Sequence, residues 1–127
     1  MTAEHCTVLV VDDDEDLRTM VAMALETAGY AVRLAADGIE ALEQLAAELP
    51  DEILLDMRMP RMDGWELATR VRATYGHDIP VVVMTAAEQA EKRAKEIDAD
   101  DFVAKPFDIE ALLRVVGRHV PRQPEST

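Results

Sequence analysis

Short runs of apolar, β-branched residues alternate with longer stretches of helical spacing along the chain, five times over. The runs predict strands at Thr7–Asp12, Ala31–Ala35, Glu52–Asp56, Pro80–Met84 and Asp101–Ala104. Three of the runs are nearly all apolar, as expected of strands that are covered on both faces. Alternating strands and helices build parallel sheets through right-handed crossovers. The pattern therefore predicts an α/β fold with helices on both faces of one sheet.

Five strand–helix units match the flavodoxin-like, doubly wound (βα)5 arrangement with a five-stranded parallel sheet. A chain of 127 residues is long enough for one domain, which we assign to residues 1–120. Residues 121–127 are polar and include two prolines. They are predicted to be a flexible tail or the start of a linker.

Capping residues mark several of the predicted helix ends. Asp14 is predicted to cap the first helix, and Gly29 is a signal for the end of that helix. Asp63 with Glu66 forms a capping box that predicts the start of the third helix.

The fourth helix, from about Glu88 to Ile97, differs from the others in its apolar face. That face consists only of Ala87, Ala90, Ala94 and Ile97. Alanine buries little area, so we expect this helix to dock weakly and to be able to move.

The net charge of −13 narrows the range of partners. So acidic a surface repels phosphate backbones, and no run of Lys and Arg is present, so direct nucleic-acid binding by this domain is not expected. No apolar run approaches the roughly twenty residues that span a bilayer, and no signal peptide is evident, so no membrane association is expected. Cys6 is the only cysteine, which fits a reducing, cytoplasmic location.

Chemically reactive side chains stand where the predicted strands end. Asp12–Asp14 end the first strand, Asp56 ends the third, Thr85 ends the fourth and Lys105 follows the fifth. Because the carboxyl ends of parallel strands meet at one edge, these residues should converge on one pocket. Clustered acids persist when a cation neutralises them, and all-oxygen ligands favour Mg²⁺, or Mn²⁺ in its place. A carboxylate beside such a cation and a lysine could attack a phosphoryl group.

Four motifs in this order resemble the receiver domains of bacterial two-component response regulators, the CheY-like family. The motifs are Val10–Asp14, Leu55–Gly64, the Thr85-Ala86 pair and Lys105–Phe107. Each motif is weak alone, whereas all four on these strand ends form a specific signal. The resemblance extends from about Thr7 to Val120.

The resemblance implies a role for each matched residue in the pocket. Asp56 would accept the phosphoryl group and contribute to the metal site. Asp13 would bind Mg²⁺ directly, Asp12 would mainly hold a metal-bound water, and the backbone carbonyl of Arg58 would be another ligand. Lys105 would pair with the phosphoryl oxygens.

Other residues carry the implied switch. Thr85 would donate a hydrogen bond to the phosphoryl group, aided by the backbone N–H of Ala86. Phe102 would turn inward once Thr85 has moved, and the surface of the fourth helix, fifth strand and fifth helix would change. The peptide bond before Pro106 is expected to be cis.

The resemblance also implies partners. The phosphoryl donor would be a sensor histidine kinase or a phosphotransfer protein, and the signal would pass to an output domain or a downstream protein. A homodimer through the fourth helix, fifth strand and fifth helix is a further option, although Ala111 and Val115 stand where an acid and an arginine often support that dimer. Phosphotransfer and autodephosphorylation would act on the domain itself, so it is expected to be a switch rather than an enzyme.

Two other functions stay open from the residues alone. Asp12 and Asp14 after an apolar strand also resemble the signature of haloacid-dehalogenase-type phosphatases, although Asp16 stands where a hydroxyl residue is expected. That function predicts phosphorylation of Asp12 instead of Asp56. The other is a phosphorylation-independent interaction domain, against which the complete set of pocket residues argues.

Three features depart from the family pattern. The segment from Thr85 to Lys105 is slightly short, and the shortening falls just after Thr85. Asp98 stands where glycine is frequent, and aspartate tolerates left-handed backbone better than most residues. Arg58 places a long charged side chain at the pocket mouth, where we expect it to alter the lifetime of the phosphorylated state.

Overall fold

The computed structural model describes residues 6–59 and 62–119. Within them, five strands alternate with five helices. The elements are β1 (Thr7–Val11), α1 (Glu15–Thr27), β2 (Ala31–Ala35), α2 (Gly38–Ala47), β3 (Glu52–Asp56), α3 (Gly64–Tyr75), β4 (Val81–Ala86), α4 (Ala87–Glu96), β5 (Asp101–Lys105) and α5 (Ile109–Arg118). The predicted tail, residues 121–127, lies outside the described residues, as does Val120.

The five strands form one parallel sheet in the order β2-β1-β3-β4-β5. This order is the flavodoxin-like one, so the predicted fold is confirmed. The central strand β3 is buried along its whole length, as expected for its apolar residues 53–55, and the burial includes the acids at its two ends. Among the described helices, none is both long and apolar enough to cross a membrane.

Side chains alternate between the two faces of the sheet and form a separate apolar core on each. On β3, Leu54 packs with α1 and α5, whereas Ile53 and Leu55 pack with α2, α3 and the end of α4. Burying one such leucine contributes about 1.5–3 kcal/mol, so the two cores fix the strand register and with it the positions of the strand ends.

Capping follows the sequence closely. The Asp14 carboxylate accepts from the Leu17 N–H at 3.2 Å, and the Asp63 carboxylate accepts from the Glu66 N–H at 3.0 Å. Asp98 adopts a positive φ of 54°, the left-handed conformation that was expected of it.

The junction between β4 and α4 differs from the predicted boundaries. The strand was predicted to end at Met84, but it continues through Ala86, and α4 begins at the next residue. The short segment after Thr85 leaves no residues for a loop at this point. On the sheet side of α4, Ala90 and Ala94 are buried, as is Ile97 directly after the helix, which agrees with the small apolar face that was predicted.

Glu52 is a buried carboxyl at the amino end of β3, far from the carboxyl ends of the strands. Its side chain is fully buried, and neither oxygen has a hydrogen-bond partner among the described residues. Burial, together with the nearby carboxylates of Asp100 and Asp101, raises the pKa of Glu52 to about 9. The folded protein therefore keeps Glu52 protonated and neutral at pH 7.

This proton links stability to pH. The unfolded chain loses the proton near the ordinary pKa of 4.5, whereas the folded chain keeps it to about pH 9. Between these values folding takes up a proton, so this group makes the protein less stable as the pH rises. Relative to Glu52→Gln, the wild type should lose roughly 1 kcal/mol of unfolding free energy per pH unit between about pH 6 and 8.

Urea unfolding of both proteins at several pH values measures that difference. Glu43→Gln removes an exposed carboxylate and is the matched control, whose pH profile should follow the wild type. Parallel profiles for Glu52→Gln and the wild type would contradict a neutral Glu52.

Candidate functional site

The carboxyl ends of β1 and β3 open into a cleft. These two strands are neighbours, and the chain leaves them toward opposite sides of the sheet, which creates a crevice at the switch point. Asp12 directly follows β1, and Asp56 is the last residue of β3. The cleft has a volume of about 490 Å³ and is lined by Asp12, Asp13, Asp14, Asp56, Arg58, Thr85, Ala86, Glu88, Gln89 and Lys105.

Three carboxylates and one lysine form the centre of this pocket. One oxygen each of Asp12, Asp13 and Asp56 lies within 4.8 Å of the others. The Lys105 ammonium lies 3.0 Å from Asp12 Oδ2 and 3.5 Å from Asp56 Oδ1. Asp12 and Asp56 are buried, while Asp13 is exposed at the rim.

Local hydrogen bonds hold the acidic side chains in place. Asp12 Oδ1 accepts from the Asp14 N–H at 2.9 Å, and the Arg18 guanidinium donates to the Asp12 carbonyl at 2.7 Å. Asp56 Oδ1 accepts from the Arg58 N–H at 3.4 Å. The acids are thus held close together despite their mutual repulsion.

The environment of the pocket raises the proton affinity of Asp56. Burial and the neighbouring Asp12 carboxylate raise the pKa of Asp56 to about 6, although Lys105 and the Arg58 N–H oppose this shift. The nearby lysine therefore does not fully offset burial and the charge of Asp12. A further cation in the pocket would favour the ionised, nucleophilic form of the carboxyl.

The donors present fit a hard divalent cation. All of the clustered donors are oxygens, and Mg²⁺ prefers a few carboxylates together with waters. The open side of the cleft, where Asp13 is exposed, leaves room for those waters.

The fourth strand places a hydroxyl at the same pocket. Thr85 is buried at the end of β4, and Ala86 follows it as the N-cap residue of α4. No side chain caps α4, so an ordinary capping role for Thr85 is not observed. The peptide bond between Lys105 and Pro106 is cis, as expected.

Phe102 is the one predicted site residue that lies away from the pocket. It is on β5 with 36% of its surface exposed, and it faces a groove beside α4. Two pocket residues were missed from sequence, Glu88 and Gln89 of the first turn of α4. The short segment after Thr85 could have predicted them, because it brings the start of α4 to the pocket wall.

A close backbone contact supports the loop that follows Asp56. The Gly64 N–H donates to the Met57 carbonyl at 3.1 Å. A Cβ atom on Gly64 would lie 2.8 Å from Met57 Cα and 3.0 Å from the Asp56 carbonyl oxygen. Only glycine therefore lets the start of α3 pack directly against the backbone of Asp56.

Comparison with known proteins agrees with the fold. The family model of the response regulator receiver domain matches residues 8–117, and the chain belongs to this family of two-component signalling switches. The comparisons give no support to the phosphatase-like or the phosphorylation-independent alternative.

Relatives and solved structures agree on this family. Response regulator MprA of Mycobacterium ulcerans is 45% identical over 108 residues, which make up 84% of this chain and 46% of that protein. The chain thus spans about half the length of the curated relatives it matches. The chemotaxis response regulator CheY4 of Vibrio cholerae superposes with a TM-score of 0.82 at 36% identity, covering 91% of this chain and 98% of that one. A putative response regulator from Chloroflexus aurantiacus gives a TM-score of 0.85 at 37% identity, covering 92% and 98%.

The contact at Gly64 predicts the effect of adding one methyl group. Gly64→Ala should destabilise the fold by roughly 1–3 kcal/mol, because the backbone of Asp56 and Met57 must move to admit Cβ. Gly117→Ala is the matched control, because the added Cβ would meet only the Tyr30 hydroxyl at 3.9 Å. This substitution should stabilise α5 by up to about 1 kcal/mol, since alanine favours the helix over glycine. Urea unfolding measures both changes, and an unchanged midpoint for Gly64→Ala would contradict the tight contact.

Proposed function

We propose that this receiver domain is switched by transfer of a phosphoryl group from a phosphohistidine to Asp56. The observation that carries the proposal is the convergence of the Asp12, Asp13 and Asp56 oxygens within 4.8 Å, beside the Lys105 ammonium. In the transfer, an Asp56 oxygen forms a bond to phosphorus as the bond from phosphorus to the histidine nitrogen breaks. The imidazole leaves with the electron pair of that bond and takes up a proton.

Asp12, Asp13, Asp56 and the backbone carbonyl of Arg58 would hold Mg²⁺, for which Mn²⁺ could substitute. Bound there, the cation supplies neutralisation of the charge that develops on the phosphoryl oxygens. Asp13 at the rim is suited to direct coordination, whereas the buried Asp12 is already bonded to Lys105 and to the Asp14 N–H.

Lys105, Thr85 and Ala86 are proposed to bind the transferred group. The Lys105 ammonium is close enough to Asp56 to pair with a phosphoryl oxygen on that residue. Thr85 and the backbone N–H of Ala86 come from the neighbouring strand β4 and would donate hydrogen bonds. As Thr85 moves toward the phosphoryl group, the exposed ring of Phe102 would turn inward and change the surface of α4, β5 and α5.

The domain would also return to its resting state by itself. A water oxygen would bond to phosphorus, the Asp56–phosphorus bond would break, and inorganic phosphate would leave the free carboxylate. Both reactions act on the domain and not on an external substrate. A cytoplasmic location stays a prediction from the single cysteine.

The phosphoryl donor is proposed to be a sensor histidine kinase or a phosphotransfer protein. The MprA relatives are about twice as long as this chain, so a downstream output domain or partner protein is proposed to receive the signal. A homodimer through α4, β5 and α5 is a further proposal. It has the least support of these, because Ala111 and Val115 stand where an acid and an arginine often support that dimer.

Intact mass spectrometry tests the phosphoacceptor. After incubation with acetyl phosphate and Mg²⁺, the wild type should gain the mass of one phosphoryl group, and Asp56→Asn should gain none. Chelation of the metal should abolish the gain, since the repulsion in the pocket is then uncompensated. A gain that survives in Asp56→Asn but disappears in Asp12→Asn would instead support the phosphatase-like function.

Arg58 should set the lifetime of the phosphorylated state. Its side chain lines the pocket mouth, where it would obstruct the attacking water or pair with the phosphoryl oxygens. Arg58→Asn should therefore lose its phosphoryl group severalfold faster, as followed by intact mass after the donor is removed. Arg70→Asn, which alters an exposed arginine on α3, is the control, and equal rates for Arg58→Asn and the wild type would refute the role.

A further inference from the structure

A small cluster of side chains joins α3 to α4 outside the acidic pocket. The Trp65 indole N–H donates to Glu96 Oε1 at 2.8 Å. The Arg93 guanidinium lies over the Trp65 ring, 5.0 Å from its centre, and bonds to both Glu96 oxygens at 3.0 and 3.1 Å. Each of these three side chains thus contacts the other two.

The cluster is connected to the pocket at both ends. Trp65 follows Gly64, whose backbone packs against that of Asp56. On α4, the Arg93 guanidinium also donates to the Gln89 side chain, and Gln89 lines the acidic pocket. Gln89, Arg93 and Glu96 lie four and three residues apart, so they form one stripe along the helix.

Such a cluster matters for α4 because the apolar face of this helix is small. Its sheet-facing side is built from small residues, since Ala90 and Ala94 are the buried alanines and Ile97 is the single larger side chain. That face contributes little apolar burial. The hydrogen bond and the cation–π contact to Trp65 therefore add directly to what holds α4 against α3.

We infer that Trp65, Arg93 and Glu96 form a clasp that holds α4 in its resting position and opens when Asp56 is phosphorylated. Opening of the clasp presupposes the phosphorylation proposed above. The direction follows from charge, because converting the singly charged Asp56 carboxylate into a doubly charged acyl phosphate adds about one negative charge to the pocket that Gln89 lines. The added charge attracts the Arg93 guanidinium, which already donates to Gln89, toward the pocket and away from Glu96 and the Trp65 ring.

Energetic coupling makes the effect reciprocal. If phosphorylation weakens the clasp, then breaking the clasp favours phosphorylation by the same factor. Removing one hydrogen bond and one cation–π contact corresponds to about a threefold to tenfold change in equilibrium.

The molecule carries its own reporter for this motion. Trp65 is the only tryptophan in the sequence. The tryptophan emission of the protein therefore comes entirely from the clasp. Emission is recorded for the wild type, with Mg²⁺ alone and then with acetyl phosphate, while intact mass follows phosphorylation of the same sample. We expect the emission to shift in step with the added mass and to return as the phosphoryl group is lost.

Two variants open the clasp and keep the reporter, Glu96→Ala and Arg93→Gln. Both should show a shifted emission before the donor is added and little further shift afterwards. Compared with the wild type at equal rates of phosphoryl loss, which intact mass measures after removal of the donor, both should become half phosphorylated at an acetyl phosphate concentration about threefold to tenfold lower. Arg70→Gln is the matched control, because it removes an exposed ion pair with Glu66 on α3 and should behave as the wild type does.

The possible results separate the clasp from the proposed function. Full phosphorylation by mass without a change in Trp65 emission would overturn the clasp and leave the function intact. Variants that phosphorylate no more readily than Arg70→Gln would also overturn it. No added mass in any protein would overturn the proposed function, and the coupling with it.

Discussion

The repulsion between Asp12 and Asp56 at the edge of the sheet, offset by Lys105, is the constraint on which this structure depends. Two buried carboxylates at the ends of adjacent strands are unfavourable unless cations approach them. The ammonium at 3.0 and 3.5 Å provides one, and it comes from β5, two strands away from Asp56. Only the assembled sheet brings these three groups together, so the fold and the pocket are interdependent.

The same strand carries a second buried acid that is accommodated differently. Asp56 lies at an open cleft with a lysine beside it, and its pKa rises only to about 6. Glu52, four residues earlier, is sealed inside the sheet near other acids, and its pKa rises to about 9. A cation from solvent can therefore reach Asp56. Glu52 is instead neutralised by a proton that it keeps. Position along β3 thus decides whether a buried acid lies beside a lysine at an open cleft or is kept neutral inside the sheet.

Much of this structure was predictable from the sequence, for identifiable reasons. Strand bounds at Ala31–Ala35 and Glu52–Asp56 agree with the apolar pattern, and the Asp14 and Asp63 caps form as expected. The end of β4 was wrong because a strand and a following helix can join without a loop, and no local signal marks that. The burial of Glu52 was not predicted either, since a single acid beside an apolar run can face solvent or the core.

The contacts of Trp65 illustrate why side-chain networks escape sequence reasoning. Its partners lie 28 and 31 residues away, on a helix whose angle depends on how β4 joins α4. Because α4 starts directly after Ala86, its first turn reaches the pocket wall, and the stripe that begins at Gln89 leads on to Trp65. The slightly short segment after Thr85 thus links the charge of the pocket to the position of α4. In this domain the coupling between site and surface is built into the junction of one strand with one helix.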